Sequence, residues 1–512
     1  MGNEQLTLIN GQIPAFVWLI GLPLIAAPLI YLSGRLRVAN LARWVGLLAL
    51  AATWVPFVLA ARDFSLNGTT TFLIGSVALR FDGLSLLLAA VALGLGTVVM
   101  FFSNPYMAGE LGEEKYHAML VALIGVMIGL GCAGDLFNLW VWFEAMAVSS
   151  YLLVAFYRDQ PASLEAGVKY LVQSATGSVL VLLGIALVLA QTGTLDLEQI
   201  HAAAGQAHGL TLLAAGALFV IGFGVKIALV PMHTWLPDAH AQAPSGISAM
   251  LSGVVIETGL IALLRALAAL AGVSSSWGVL LMGFGALNML AGNLLALRQT
   301  QVKRLLAFSS LSHVGYMLVG LGIGVYAGEL AGAQGGVFHL VNHGLMKGLA
   351  FLAAGALLYV LRYQRSSTVV ETDHGPLTIG DLGGAARRYP LAALALSIAV
   401  LGLGGLPPLA GFMSKWQIFV AGFETQNLVI GLLVVFAALN SVLSLAYYAP
   451  LVNAVYRQQP SDAVQHGQPL PVMMSVPLVV LGLAVIAIGI WPGLLQWLTG
   501  PAGAAVLTAF GG

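Results

Sequence analysis

Seven ionisable side chains stand in stretches apolar enough to sit in lipid. His339, His343 and Lys347 lie four residues apart in GGVFHLVNHGLMKGLAFLAAGALLY, while Glu144, Lys226, Glu257 and Lys415 occur in WVWFEAMAVSSYL, GFGVKIALVP, SGVVIETGLIALL and GLPPLAGFMSKW. Helical residues four apart share a face, so the first three form a stripe about 12 Å long at the helical rise. Histidine accepts and donates protons near neutral pH. Lysine and carboxylate groups respond to their surroundings: desolvation disfavours the charged form of either, and a neighbouring opposite charge favours it. Together these types can relay protons. Each costs about 2.5–3.5 kcal/mol at the centre of a membrane helix, and a lone buried Glu or His often only ties helices together. A set of seven is better explained by an ion path. Histidines at i and i+4 can also chelate a metal, but no Cys or carboxylate on that helix completes a site, so none is expected.

The rest of the chain supplies the elements that must hold these groups. Of 512 residues 59% are hydrophobic and only 8% charged, against about a quarter charged in soluble domains. A spanning helix needs about 20 mostly apolar residues. Such stretches fall near 14–32, 41–61, 84–103, 117–133, 135–156, 168–191, 211–236, 246–271, 277–298, 305–325, 332–361, 391–421, 428–456 and 473–497. The expectation is an all-α, polytopic membrane protein of fourteen spans. The N-terminal segment has Glu4 and no basic residue before its first apolar run, unlike a signal peptide, so span 1 is read as retained. Cys132 is the only cysteine, which excludes an internal disulfide and a Cys-ligated iron–sulfur cluster. Net charge is zero and gives no reason to expect nucleic acid.

Basic residues orient the spans. Arg35, Arg37, Arg43, Lys115, Arg158, Lys169, Arg298, Lys303, Arg304, Arg362, Arg365, Arg387, Arg388 and Arg457 fall after odd-numbered spans, and only Arg62, Arg80 and Arg265 after even ones. Odd loops, including the polar 362–388 linker, are therefore expected on the cytoplasmic side, with both termini opposite. Spans 7 and 12 also carry helix breakers: Pro231 and Pro237 follow Lys226, and Gly404, Gly405, Pro407, Pro408 and Gly411 precede Lys415. Proline removes a backbone donor and clashes with the preceding turn, so both spans should be interrupted. Broken helices in matching positions of two halves point to the ion site of an inverted-repeat transporter. The alternating glycines of GLGIGVYAG (320–328) lie in an apolar helix with no preceding strand, and are read as packing positions, not a dinucleotide loop.

GDLFNLWVWFEAMAVSSYLLVAF, VKIALVPMHTWLPDAHAQAP, QTQVKRLLAFSSLSHVGYM, HLVNHGLMKGLAFL and GLPPLAGFMSKWQIF, in that order, resemble signature segments of the antiporter-like membrane subunits of respiratory complex I (chain M/N type), a family shared with Mrp-type Na⁺/H⁺ antiporter D subunits and membrane-bound hydrogenases. The resemblance implies spans 1–3 in residues 1–116, inverted repeats of five helices in 117–271 and 277–456, and a loop plus span 14 in 457–512. It implies a non-redox, proton-pumping subunit of an NADH:quinone oxidoreductase-type translocase. Glu144 and Lys226 match the family's pair on helices 5 and 7, His339, His343 and Lys347 the helix 11 conduit, and Lys415 the exit on helix 12. Lys303 matches a family position of less defined role. At Glu257 relatives usually carry lysine or histidine, so this acid is either a relay with altered tuning or a cation ligand. The resemblance implies no cofactor on this chain, with iron–sulfur clusters, flavin and quinone in partner subunits. Expected partners are other membrane subunits in a bacterial inner membrane; the transported ion is the proton, with sodium in an Mrp-like or hydrogenase-type alternative. Lys415 and the short tail after span 14 disfavour M-type and L-type subunits respectively.

Overall fold

The computed structural model describes residues 13–36, 40–75, 77–205, 209–365, 370–372, 376–457 and 459–511. Glu4, Arg37 and part of the 362–388 linker lie outside these. Helices α1 (Ala15–Arg35), α2 (Leu41–Asn67), α3 (Gly83–Tyr106), α4 (Glu113–Gly131), α5 (Leu136–Val154) and α6 (Pro161–Thr192) form the first six spans, with a hairpin of β1 (Thr70–Ile74) and β2 (Val77–Phe81) between α2 and α3. Short α7 (Leu197–Ala204) precedes α8 (Gly209–Ile227) and α9 (Trp235–Gln242), the two parts of span 7. A π-helical turn, Leu251–Val255, joins α10 (Ser245–Met250) to α11 (Ile256–Ala269). Then come α12 (Trp277–Ala296), α13 (Val302–Ala327), α14 (Leu330–Arg362), the broken span α15 (Pro390–Gly404) and α16 (Ala410–Glu424), α17 (Leu428–Arg457), short α18 (Asp462–His466), α19 (Val472–Ile490) and α20 (Gln496–Ala509). Among the described residues thirteen helices are each long and apolar enough to cross a membrane. The fourteenth expected span is the α15/α16 pair, each piece 15 residues long.

Burial sorts the helices. The apolar cores of the Ser245–Ala269 and Val302–Ala327 spans are wholly enclosed, and that of Leu330–Leu361 nearly so, whereas α2 and α17 turn most of their surface outward. Polar side chains of the central helices therefore face protein, as the absence of water in hydrocarbon demands. Glycine permits this enclosure. Gly278 and Gly285 of α12 face the backbone of Gly322 and Gly315 on α13, and a Cβ at any of the four would come within 2.8 Å of the facing carbonyl oxygen. Such small-residue seams let membrane helices approach closely. The alternating glycines serve two neighbours: Gly322 meets α12, while Gly320 and Gly324 meet Gly336 and Ala333 of α14. Two residues along a helix is about 200° of rotation, so alternation presents glycine to opposite sides.

One expectation is corrected. Arg265, assigned above to a loop, lies inside α11, buried, and forks onto the Asp82 carboxylate at 2.9 and 3.0 Å, with further bonds to Ser85 Oγ and Gly131 O. It marks a buried tie and no membrane surface. Asp82 also caps α3 by accepting from the Ser85 N–H at 2.9 Å. Burial pushes the Asp82 carboxyl up, but the Arg265 charge and hydrogen bonds outweigh it and leave it below the usual carboxylate range. Removing one member of a buried pair costs about 3–5 kcal/mol. Arg265→Ala is accordingly expected to lower the thermal inactivation midpoint of the purified protein, and pairing Asp82→Asn with Arg265→Leu should restore much of it; equal midpoints for wild type and Arg265→Ala would disprove the tie.

Candidate functional site

The site begins where α8 stops. Pro231 lacks a backbone donor, and the chain turns out of the helix through Ala228 at φ 59°. The freed groups find partners: Trp235 Nε1 donates to Val225 O at 2.7 Å, and Asn288 of α12 accepts from Val230 N at 2.9 Å while donating to Ala228 O at 3.3 Å. Lys226, in the last turn of α8 and 1% exposed, donates from Nζ to Tyr170 Oη of α6 at 2.7 Å. The Tyr170 ring stacks on Trp235 at 3.9 Å, so the lysine's acceptor is held by the broken end itself. Gly259 of α11 leaves room for the lysine stem, since a Cβ there would lie 3.1 Å from its Cγ. Glu144 on α5 is half-buried, its Oε1 has no hydrogen-bond partner, and it acts on Lys226 at a distance without forming an ion pair.

Glu257 begins α11 just after the π-helical turn and is fully buried. Its Oε1 lies 2.9 Å from His343 Nδ1, while Oε2 and His343 Nε2 have no partner. The rings of His343 and His313 stack at 5.3 Å, His313 Nδ1 lies 3.1 Å from His339 Nε2, and His339 Nδ1 lies 2.9 Å from Ser414 Oγ. Ser414 adjoins Lys415, whose Nζ sits 4.6 Å above the Tyr316 ring and donates to Leu403 O and Ser441 Oγ, both at 2.8 Å. Five ionisable groups, Glu257, His343, His313, His339 and Lys415, thus follow one another across α11, α14, α13 and α16. Lys347 does not stand between His339 and Lys415: it donates to Leu306 O at 2.7 Å and to Ser309 on α13. Sequence reasoning missed His313, Tyr170 and Ser414. His313 shares a segment with Lys303, but its histidine partners lie on another helix.

A family described as NADH:quinone oxidoreductase/Mrp antiporter, TM, matches residues 133–444, a stretch containing every candidate residue above. The chain belongs to this family. A second match, to the N-terminus of complex I chain 5, covers residues 72–117. Subunit N of the F(420)H(2) dehydrogenase of Methanosarcina mazei is 32% identical over 88% of this chain and 90% of its own length. NADH-quinone oxidoreductase subunit N of Desulfitobacterium hafniense is 32% identical over 78% and 80%. Among solved structures, the membrane-bound sulfane sulfur reductase, an archaeal respiratory membrane complex, contains a chain with TM-score 0.85 and 28% identity over 97% of this chain and 98% of that one. Respiratory complex I from Thermus thermophilus matches with TM-score 0.76 and 27% identity over 93% and 98%. The Mrp complex from Dietzia shares the fold, with TM-score 0.85 at 23% identity over 98% and 99%.

In this member of the NADH:quinone oxidoreductase/Mrp antiporter family, Tyr170 is the hydroxyl that holds Lys226. Tyr170→Phe leaves a buried amine without its acceptor, a penalty of about 1–3 kcal/mol. The variant is expected to have a lower thermal inactivation midpoint than the wild-type protein; an unchanged midpoint would show that the hydroxyl is incidental.

Proposed function

We propose that this chain is an N-type, proton-translocating subunit of a redox-driven membrane complex, with electron carriers confined to partner subunits. The observation that supports it most is the succession of buried ionisable groups from Glu257 through His343, His313 and His339 to Ser414, next to Lys415, beginning on a helix whose Gly259 packs against the Lys226 stem. In this reading a change in a partner alters the distance between Glu144 and Lys226, and so how readily Lys226 holds its proton. The released proton moves by Glu257, His343, His313 and His339 to Lys415. The two broken spans belong to inverted repeats, and the basic odd-numbered loops face the cytoplasm of a bacterial cell, as charge bias favours.

The test is proton pumping by the intact complex in sealed vesicles. Lys226→Ala and Glu144→Ala are each expected to abolish the contribution of this chain, leaving assembly and electron transfer to an artificial acceptor largely intact; full pumping in either would defeat the relay. A second reading, sodium/proton exchange, is favoured by one observation: a carboxylate oxygen of Glu257 is buried without a partner, as a cation ligand would be before binding. Proton flux that needs sodium but no electron donor, and loses its sodium dependence in Glu257→Lys, would support exchange over redox-driven pumping.

A further inference from the structure

His240 belongs to none of the contacts above. It lies on α9, the second half of broken span 7, fully buried, and neither ring nitrogen has a hydrogen-bond partner. A neutral imidazole carries one donor and one acceptor, and leaving both unpaired in the interior is costly. Its surroundings come from two neighbouring helices. On α14 its ring stacks on Phe351 at 4.7 Å, nearly parallel at 11°, and Phe351 is one turn beyond Lys347. On α13, Lys303 donates from Nζ to Ala243 O at 2.5 Å, and Ala243 is the C-cap of α9, three residues past His240. Both lysines act electrostatically on His240. They also lie along one edge of α13: Lys303 is on its first turn, and Lys347 reaches Leu306 O and Ser309 one and two turns further. Towards the helix ends, Asp238 of α9 pairs with Arg304 at 2.9 Å and Lys169 at 3.0 Å, with all three side chains partly exposed. A charged, solvent-accessible cluster therefore leads to Lys303, then to an unpaired imidazole, then to Lys347 beside the axis.

We propose that His240 is a proton-transfer group that carries protons from Lys303, at the Asp238/Arg304 surface, to Lys347, so that the central axis is loaded through this branch. The inference rests on the proton-translocating reading. In each transfer the Lys303 ammonium gives one proton to the neutral His240 ring and becomes an amine, and the imidazolium then gives one proton to the neutral Lys347 amine, directly or through one water. Lys347 passes that proton to His343, one turn before it on the same face of α14, and Lys303 regains its own from the surface, so the branch returns to its starting charge each cycle. The branch accounts for a lysine on α14 that bonds towards α13 and away from Lys415, and for a fully buried imidazole with neither ring nitrogen paired.

The experiment uses the native complex, isolated through this chain and reconstituted in vesicles, with protons counted per electron. His240→Phe keeps the stacking on Phe351 and removes the titratable ring; His240→Gln keeps polarity without the charge change. Both are expected to lower the proton-to-electron ratio by this chain's share while electron transfer to an artificial acceptor stays within twofold of wild type. Lys303→Ala should give the same ratio. A wild-type ratio in a folded His240→Phe or His240→Gln complex overturns the proposal, as does a loss of pumping only in proportion to lost assembly. If His240→Phe does not assemble, His240→Gln and Lys303→Ala decide by the same ratio. Failure of the underlying reading looks different: there Lys226→Ala would also pump normally.

Discussion

Hydrocarbon solvates neither a charge nor an open backbone carbonyl, and this constraint orders the molecule. Charged groups and helix interruptions must be enclosed by protein or water. The enclosing layer consists of α1, α2, α6, α12 and α17, which turn large apolar side chains outward, while α10, α11, α13 and α14 carry the polar groups within. Glycine seams between α12 and α13 and between α13 and α14 close the inner layer to backbone contact. A bulky side chain there would separate the helices that bring His313, His339 and His343 together.

The buried lysines and the helix ends are one device. Free carbonyls at a helix C-terminus carry partial negative charge, and a cation there gains about 0.3–1 kcal/mol, more when partly buried. Lys226 occupies the last turn of α8, Lys303 donates to the C-cap carbonyl of α9, and Lys415 donates to Leu403 O near the end of α15. Breaking spans 7 and 12 inside the protein creates these ends. The break thus supplies acceptors that an unbroken helix would have used internally, which offsets part of the cost of holding an amine out of water. Trp235 and Asn288 satisfy the groups the lysines do not reach.

Much of this was legible in the sequence because it is local. Hydropathy placed the spans, and proline and glycine beside Lys226 and Lys415 placed the breaks within a few residues of where α8 and α15 end. Pairing across helices was not legible. Arg265 reads as a surface charge until Asp82, 183 positions away, is seen to hold it. His313 lies in an apolar run like many structural histidines, and only the approach of α14 places two more imidazoles against it. Tyr170 carries no signal at all, since a membrane tyrosine is unremarked until a lysine from another helix reaches its hydroxyl. Glu144 was legible as an intramembrane acid, but its separation from Lys226 depends on how α5 and α8 pack.

That separation matters physically. An ion pair at contact would fix both charges and resist any exchange of protons, because the attraction between unit charges rises steeply as distance and dielectric fall. Lys226 instead leans on a neutral hydroxyl and on the Tyr170 ring, 4.6 Å from its amine, and Lys415 likewise on a hydroxyl, a carbonyl and the Tyr316 ring. Neutral partners stabilise the ammonium less than a carboxylate does, yet still give the uncharged amine something to bond. A lysine held this way needs only a modest change in a nearby charge to alter its protonation. A helix end that shifts by a fraction of a turn changes the acceptors at the same moment. Charge and conformation are therefore linked at the breaks, and under the proposed relay the histidines between them need only pass on what the breaks release.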